Sequence, residues 1–110
     1  MRVFVTGATG FIGTPLVKEL IGAGHQVLGM ARSNEGANSI AALGAEVLRG
    51  SLEDLDSVRK GATAADAVIH LGFVHDWSNF VKSCEIDRDA IAAIGSVLAG
   101  SDRPFIVTGG

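Results

Sequence analysis

Val-Phe-Val-Thr-Gly-Ala-Thr-Gly-Phe-Ile-Gly, residues 3–13, runs a β-branched and aromatic segment straight into glycines at 7, 10 and 13. Val3, Phe4 and Val5 suit a central parallel strand, buried on both faces. Each glycine that follows has a separate physical job. Gly7 lets the chain bend sharply off the strand. Gly10 leaves out a Cβ where backbone must approach a phosphate, and Gly13 lets the next helix pack close against the sheet. The free N–H groups of Thr9, Gly10, Phe11 and Ile12 at that helix start face an anion, with the positive end of the helix dipole behind them. Three glycines alone say little in a chain that has 15. Strand before and apolar helix after is the context a dinucleotide-binding loop requires.

Working outward, strands and helices alternate along the whole chain, which predicts a parallel sheet with helices on both faces. The first helix is expected over about Gly10 to Ala23, with Leu16, Val17, Leu20 and Ile21 on one face. A strand over Gln26 to Met30 follows, then a short helix capped by Ser33 or Asn34 and stopped at Gly44. The third strand is Ala45 to Arg49. Asp54 to Lys60 forms a helix that Gly61 ends, and Ala67 to Leu71 is the fourth strand. A long helix spans Asn79 to Ala99, carrying Ile86, Ala90, Ile94 and Val97 at helical spacing, before a last strand at Phe105 to Thr108. Right-handed crossovers then give a doubly wound, Rossmann-like α/β sheet of strand order 3-2-1-4-5, stopping after strand five.

Bulk properties agree. The chain has 110 residues, 47% hydrophobic and 19% charged, with a net charge of −3. That suits one compact domain over residues 1–110 and argues against disorder. No basic stripe is present to recruit nucleic acid, and no apolar run approaches a membrane span. Cys84 is the single cysteine, which leaves neither a disulfide framework nor a cysteine metal site. With a strand starting at residue 2, there is no room for a signal peptide, so a cytoplasmic location is expected. Phe105 to Thr108 would lie bare at a sheet edge, an association hazard. That edge suggests a fragment of a longer protein, or self-association through strand five.

The end of strand two discriminates between cofactors. An acid there bonds the adenosine ribose hydroxyls of NAD, whereas a basic residue accommodates the 2′-phosphate of NADP. Ala31, Arg32 and Ser33 occupy this position, about 20 residues after Gly13 as the geometry expects. Arg32 can pair a phosphate through two N–H groups, and Ser33 adds a hydroxyl donor. No Asp or Glu occurs between residues 26 and 34. The residues therefore favour NADP, with NAD still open. His75 and Asp76 form no metal site, because no third or fourth ligand stands at suitable spacing. With Trp77 they lie either along a substrate pocket or at a capped helix start.

Thr-Gly-Ala-Thr-Gly-Phe-Ile-Gly at 6–13 resembles the cofactor loop of short-chain dehydrogenases/reductases, and its Phe-Ile resembles the extended, NAD-dependent epimerase/dehydratase branch. The likeness continues through Gly-Met-Ala-Arg-Ser at 29–33, Arg-Gly-Ser-Leu at 49–52, Val-Ile-His-Leu-Gly at 68–72 and Phe-Ile-Val-Thr at 105–108. It covers the whole chain but only the first part of such an enzyme. The resemblance implies an adenine contact at Ser51 and Leu52, where the family usually has Gly-Asp-Leu, so Ser51 is a departure. It also implies that Leu71, Gly72 and Phe73 pass beneath the nicotinamide-side ribose. His70 reads as a hydrogen-bonded sheet residue rather than a catalyst.

Family chemistry rests on a Tyr-x-x-x-Lys pair, and this chain has no tyrosine. Gly109 stands where the family has a serine. No catalytic residue is therefore assigned, and these 110 residues alone are expected to be inactive. The resemblance implies an NADP-dependent oxidoreductase acting on a small-molecule carbonyl or alcohol in the longer protein. A nucleotide-sugar epimerase or dehydratase using NAD, and a non-catalytic NAD(P)-sensing module, remain as alternatives.

Overall fold

The computed structural model describes residues 1–8, 13–71 and 80–107. Strands β1 (Arg2–Thr6), β2 (Gln26–Ala31), β3 (Glu46–Arg49), β4 (Ala67–His70) and β5 (Phe105–Val107) alternate with helices α1 (Gly13–Gly22), α2 (Asn34–Ala42), α3 (Leu55–Ala64) and α4 (Phe80–Leu98). The five strands form one parallel sheet of order β3-β2-β1-β4-β5. The expected topology is the one observed.

The pleat decides what each strand residue touches. On one face Phe4, Leu28, Met30 and Val68 pack against Val58 and Ala62 of α3 and Ala93, Ile94 and Leu98 of α4. On the other, Val3, Val5, Val27, Ala31 and Ala67 meet Val17 of α1 and Ile40 of α2. β1, flanked by both neighbours, is the most deeply buried strand: Phe4 and Val5 have no solvent exposure. At the far side β5 is bare, with Ile106 54% and Val107 43% exposed. Among the described residues, no helix is long and apolar enough to cross a membrane.

One expected boundary is overturned. Gly61 does not end α3 but lies within it, and the helix continues to Ala64. Its reason for being glycine is tertiary: a Cβ there would sit 2.4 Å from the ring of Phe4. Helix α3 comes that close to the sheet only because the side chain is missing. Smaller differences at β2, β3 and β4 amount to one residue at an element end. Thr108, the expected end of the last strand, lies outside the described residues.

Two polar contacts join the strands at the amino edge of the sheet. Arg2 pairs with Glu46 across β1 and β3, and its backbone N–H donates to Asp66. At the outer helix ends, Arg103 donates to the carbonyls of Ala62, Ala65 and Val97 at 3.1–3.3 Å. One guanidinium thus closes the C-termini of α3 and α4, where a cation also complements the helix dipoles.

Gly61→Ala should lower stability by roughly 1–3 kcal/mol through overpacking against Phe4. Gly95→Ala, on α4 with nothing within 4 Å of the added Cβ, should raise it by about 0.5–1 kcal/mol. Urea denaturation of the two variants checks both signs; a stabilising Gly61→Ala would contradict the close approach.

Candidate functional site

A parallel sheet places the carboxyl ends of all its strands along one edge, so Gly7, Arg32, Gly50 and Leu71, each following its strand, share that edge. The chain leaves β1 toward β2 on one side, while β4 lies on the other. At such a divergence, ligands of open α/β sheets bind in the crevice beyond the strand ends.

The exit from β1 is built by two glycines in contact. Gly7 has φ 72°, a left-handed conformation that side chains strain. Gly13 opens α1, and a Cβ on it would fall 1.9 Å from the Gly7 carbonyl oxygen and 2.9 Å from Ala8 Cα. So Gly13 packs on the backbone of the loop itself, which refines its expected role of meeting the sheet. Thr14 adds a tie, its hydroxyl donating to the Ala8 carbonyl at 3.2 Å. The loop is thereby drawn back on the helix start. Thr9, Gly10, Phe11 and Ile12, expected to offer their amides there, lie outside the described residues.

Beside this turn, β4 contributes a buried network. His70 is 1% exposed, with Nδ1 2.6 Å from Thr6 Oγ1 and Nε2 2.7 Å from Asp87 Oδ1 on α4. A carboxylate only accepts, so Nε2 carries the proton of that bond; in a neutral ring Nδ1 then accepts from the Thr6 hydroxyl. His70 is a hydrogen-bonded sheet residue, as expected. Its partner Asp87 was not legible, because α4 meets β4 only in the folded chain. The bond fixes the last residue of β1, next to Gly7. Leu71 extends the same pairing, its N–H donating to the Thr6 carbonyl at 3.2 Å. Gly72 and Phe73, together with His75, Asp76 and Trp77, are outside the described residues, as is Gly109.

At the end of β2, Ala31 is buried and Arg32 and Ser33 are exposed. Ser33 is the N-cap of α2: its hydroxyl oxygen accepts the Gly36 N–H at 3.0 Å, which leaves the hydroxyl proton to donate outward. Arg32 makes no ion pair among the described residues. A second guanidinium, Arg49, reaches the same turn from β3.

Ser51 and Leu52 follow β3. The Ser51 hydroxyl and carbonyl both accept the Asp54 N–H, at 3.3 and 3.1 Å. Asp54 in turn caps α3 through Ser57. Leu52 is half-buried against the core of Phe4 and Met30. Both residues therefore shape the turn that follows β3. Among the described residues there is no group of three or more metal-ligating side chains.

Among the described residues, this edge thus has a left-handed glycine at the strand exit, a helix start drawn onto it, and two arginines without an ion pair, Arg32 after β2 and Arg49 at the end of β3. The chain is similar to several known proteins. A family model described as "NAD dependent epimerase/dehydratase family" matches residues 3–93. An uncharacterised protein of Saccharomyces cerevisiae is 54% identical over 112 residues, covering 100% of this chain and 38% of that protein. A 4-hydroxy-2-methyl-3-oxo-4-farnesyl-3,4-dihydroquinoline-1-oxide ketoreductase of Stigmatella aurantiaca is 37% identical over 101 residues, covering 92% of this chain and 30% of the enzyme. A solved short-chain dehydrogenase/reductase superfamily protein from Agrobacterium tumefaciens, with bound NAD, superposes with a TM-score of 0.73 at 27% identity. That match covers 97% of this chain and 32% of the other. The chain therefore spans well under half the length of these relatives.

Gly13→Ala should cost roughly 3 kcal/mol or more, because the added methyl meets backbone rather than a movable side chain. Thermal or urea unfolding measures this; a variant as stable as the parent would show that the helix start is not held against Gly7.

Proposed function

The chain belongs to the NAD dependent epimerase/dehydratase family, and on that premise we propose that it is the dinucleotide-binding part of an NADP-preferring oxidoreductase. The contact of Gly13 with the Gly7 peptide carries this reading. It brings the first N–H groups of α1 to the mouth of the crevice, where a diphosphate is met by main-chain donors and the helix dipole together. Gly7, Thr9, Gly10, Phe11, Ile12 and Gly13 hold the diphosphate in this proposal. Ala31, Arg32 and Ser33 receive the adenosine ribose, Ser51 and Leu52 the adenine, and Leu71, Gly72 and Phe73 the nicotinamide side.

The cofactor, when bound, would supply the redox chemistry, its reduced form giving a hydride to a carbonyl carbon or its oxidised form accepting one from an alcohol carbon. This chain's residues bind and orient it. The ketoreductase relative supports a carbonyl substrate. Arg32 supports NADP: it is exposed at the ribose position, it has no carboxylate partner among the described residues, and no acid lies between residues 26 and 34 to bond a free 2′-hydroxyl. A phosphate monoester there gains charge-assisted hydrogen bonds that a hydroxyl cannot match.

Calorimetric titration should find NADPH bound about tenfold or more tightly than NADH, the equivalent of roughly 1.4 kcal/mol. Arg32→Ala should remove most of that difference while leaving NADH affinity nearly unchanged. Equal affinity for the two cofactors in the parent chain would contradict the NADP assignment.

A further inference from the structure

Arg49 ends β3 directly opposite Ala31 in the parallel register, one residue short of Arg32. Its guanidinium crosses to the turn between β2 and α2. Nη1 donates to Asn34 Oδ1 at 2.7 Å, and Nη2 approaches the carbonyl oxygen of Arg32 itself at 3.4 Å. Both acceptors are neutral. Neither arginine has an ion pair among the described residues. At the amino edge of the same sheet the pattern is the opposite, because Arg2 is matched by Glu46. Two arginines on one turn, neither ion-paired among the described residues, offer an anion two sets of charge-assisted donors. A phosphate monoester, carrying about −1.5 to −2 charges near neutral pH, matches two guanidinium groups better than one.

We propose that Arg49 is a second phosphate-binding residue for the adenosine 2′-phosphate, acting with Arg32, and that Asn34 is the positioning residue that aims it. The assignment rests on the dinucleotide reading above and deepens it: discrimination between NADP and NAD is shared between β2 and β3. Arg32 enters from the loop, Arg49 from the neighbouring strand, and the Ser33 hydroxyl proton completes the donor set.

The test compares ligands that differ only in the 2′-phosphate: NADPH with NADH, and adenosine 2′,5′-bisphosphate with adenosine 5′-monophosphate. Arg49→Met should weaken the phosphorylated member of each pair by about tenfold and shift the other less than about twofold. Arg49→Lys, which keeps the charge but not the planar fork, should fall between. The preference of the parent chain should decline with added salt more steeply than that of Arg49→Met. Unfolding curves of both variants confirm that they fold, and Arg49→Lys serves if Arg49→Met does not. An unchanged preference in the variants would overturn the role of Arg49 while leaving the dinucleotide reading intact. Equal weakening of both members of each pair would overturn it too, showing Arg49 to be a strap on the turn. Failure of the parent chain to bind any of the four ligands would overturn the proposal together with the reading it rests on.

Discussion

The start of α1 lies against the peptide that leaves β1, and the rest of the site depends on that contact. A Cβ at Gly13 would collide with the Gly7 carbonyl at 1.9 Å, so the helix can begin there only without one. Gly7 itself turns with φ 72°. Together they hold the positive end of the helix dipole at the carboxyl edge of the sheet, beside the paired ends of β1 and β4. A helix start held at that edge favours anions through its dipole before any side chain is considered.

The surrounding packing keeps this junction in place from both sides. Beneath it, Phe4 fills the space that Gly61 leaves open, which locks α3 to the central strand. Beside it, Asp87, His70 and Thr6 form a hydrogen-bonded line from α4 through β4 to the last residue of β1. Losing Asp87 or the Thr6 hydroxyl would take a partner from a ring nitrogen of the buried His70, a larger cost than the bond itself. The network therefore joins the helix layer to the residue that precedes Gly7. Charge is distributed in the same sense. Glu46 compensates Arg2 at the amino edge of the sheet, while at the carboxyl edge Arg32 and Arg49 have no carboxylate partner among the described residues.

Local pattern was enough for the architecture. The alternation of apolar strands with capped helices, and the glycines of residues 7–13, both report on neighbours a few residues apart. From these the parallel sheet and its strand order follow. Contacts between distant segments were not legible. Gly61 reads as a helix stop because glycine usually is one, yet here it answers to a phenylalanine on the first strand. Arg49 sits in a stretch that resembles the family pattern, but its reach to Asn34 and Arg32 depends on how β3 pairs with β2. His70 was readable as a sheet residue, whereas Asp87, its partner, was one acid among several on α4. The Ser33 cap was legible because capping is local.

The most direct measurement is the change in backbone amide chemical shifts when NADPH is added to the isotopically labelled chain. A diphosphate gripped by main-chain donors should move the amides of Gly7 to Gly13 most, with those near Arg32 following and the amino edge around Arg2 and Asp66 unmoved. Saturating shifts centred elsewhere, or none in the β1–α1 junction, would contradict the account.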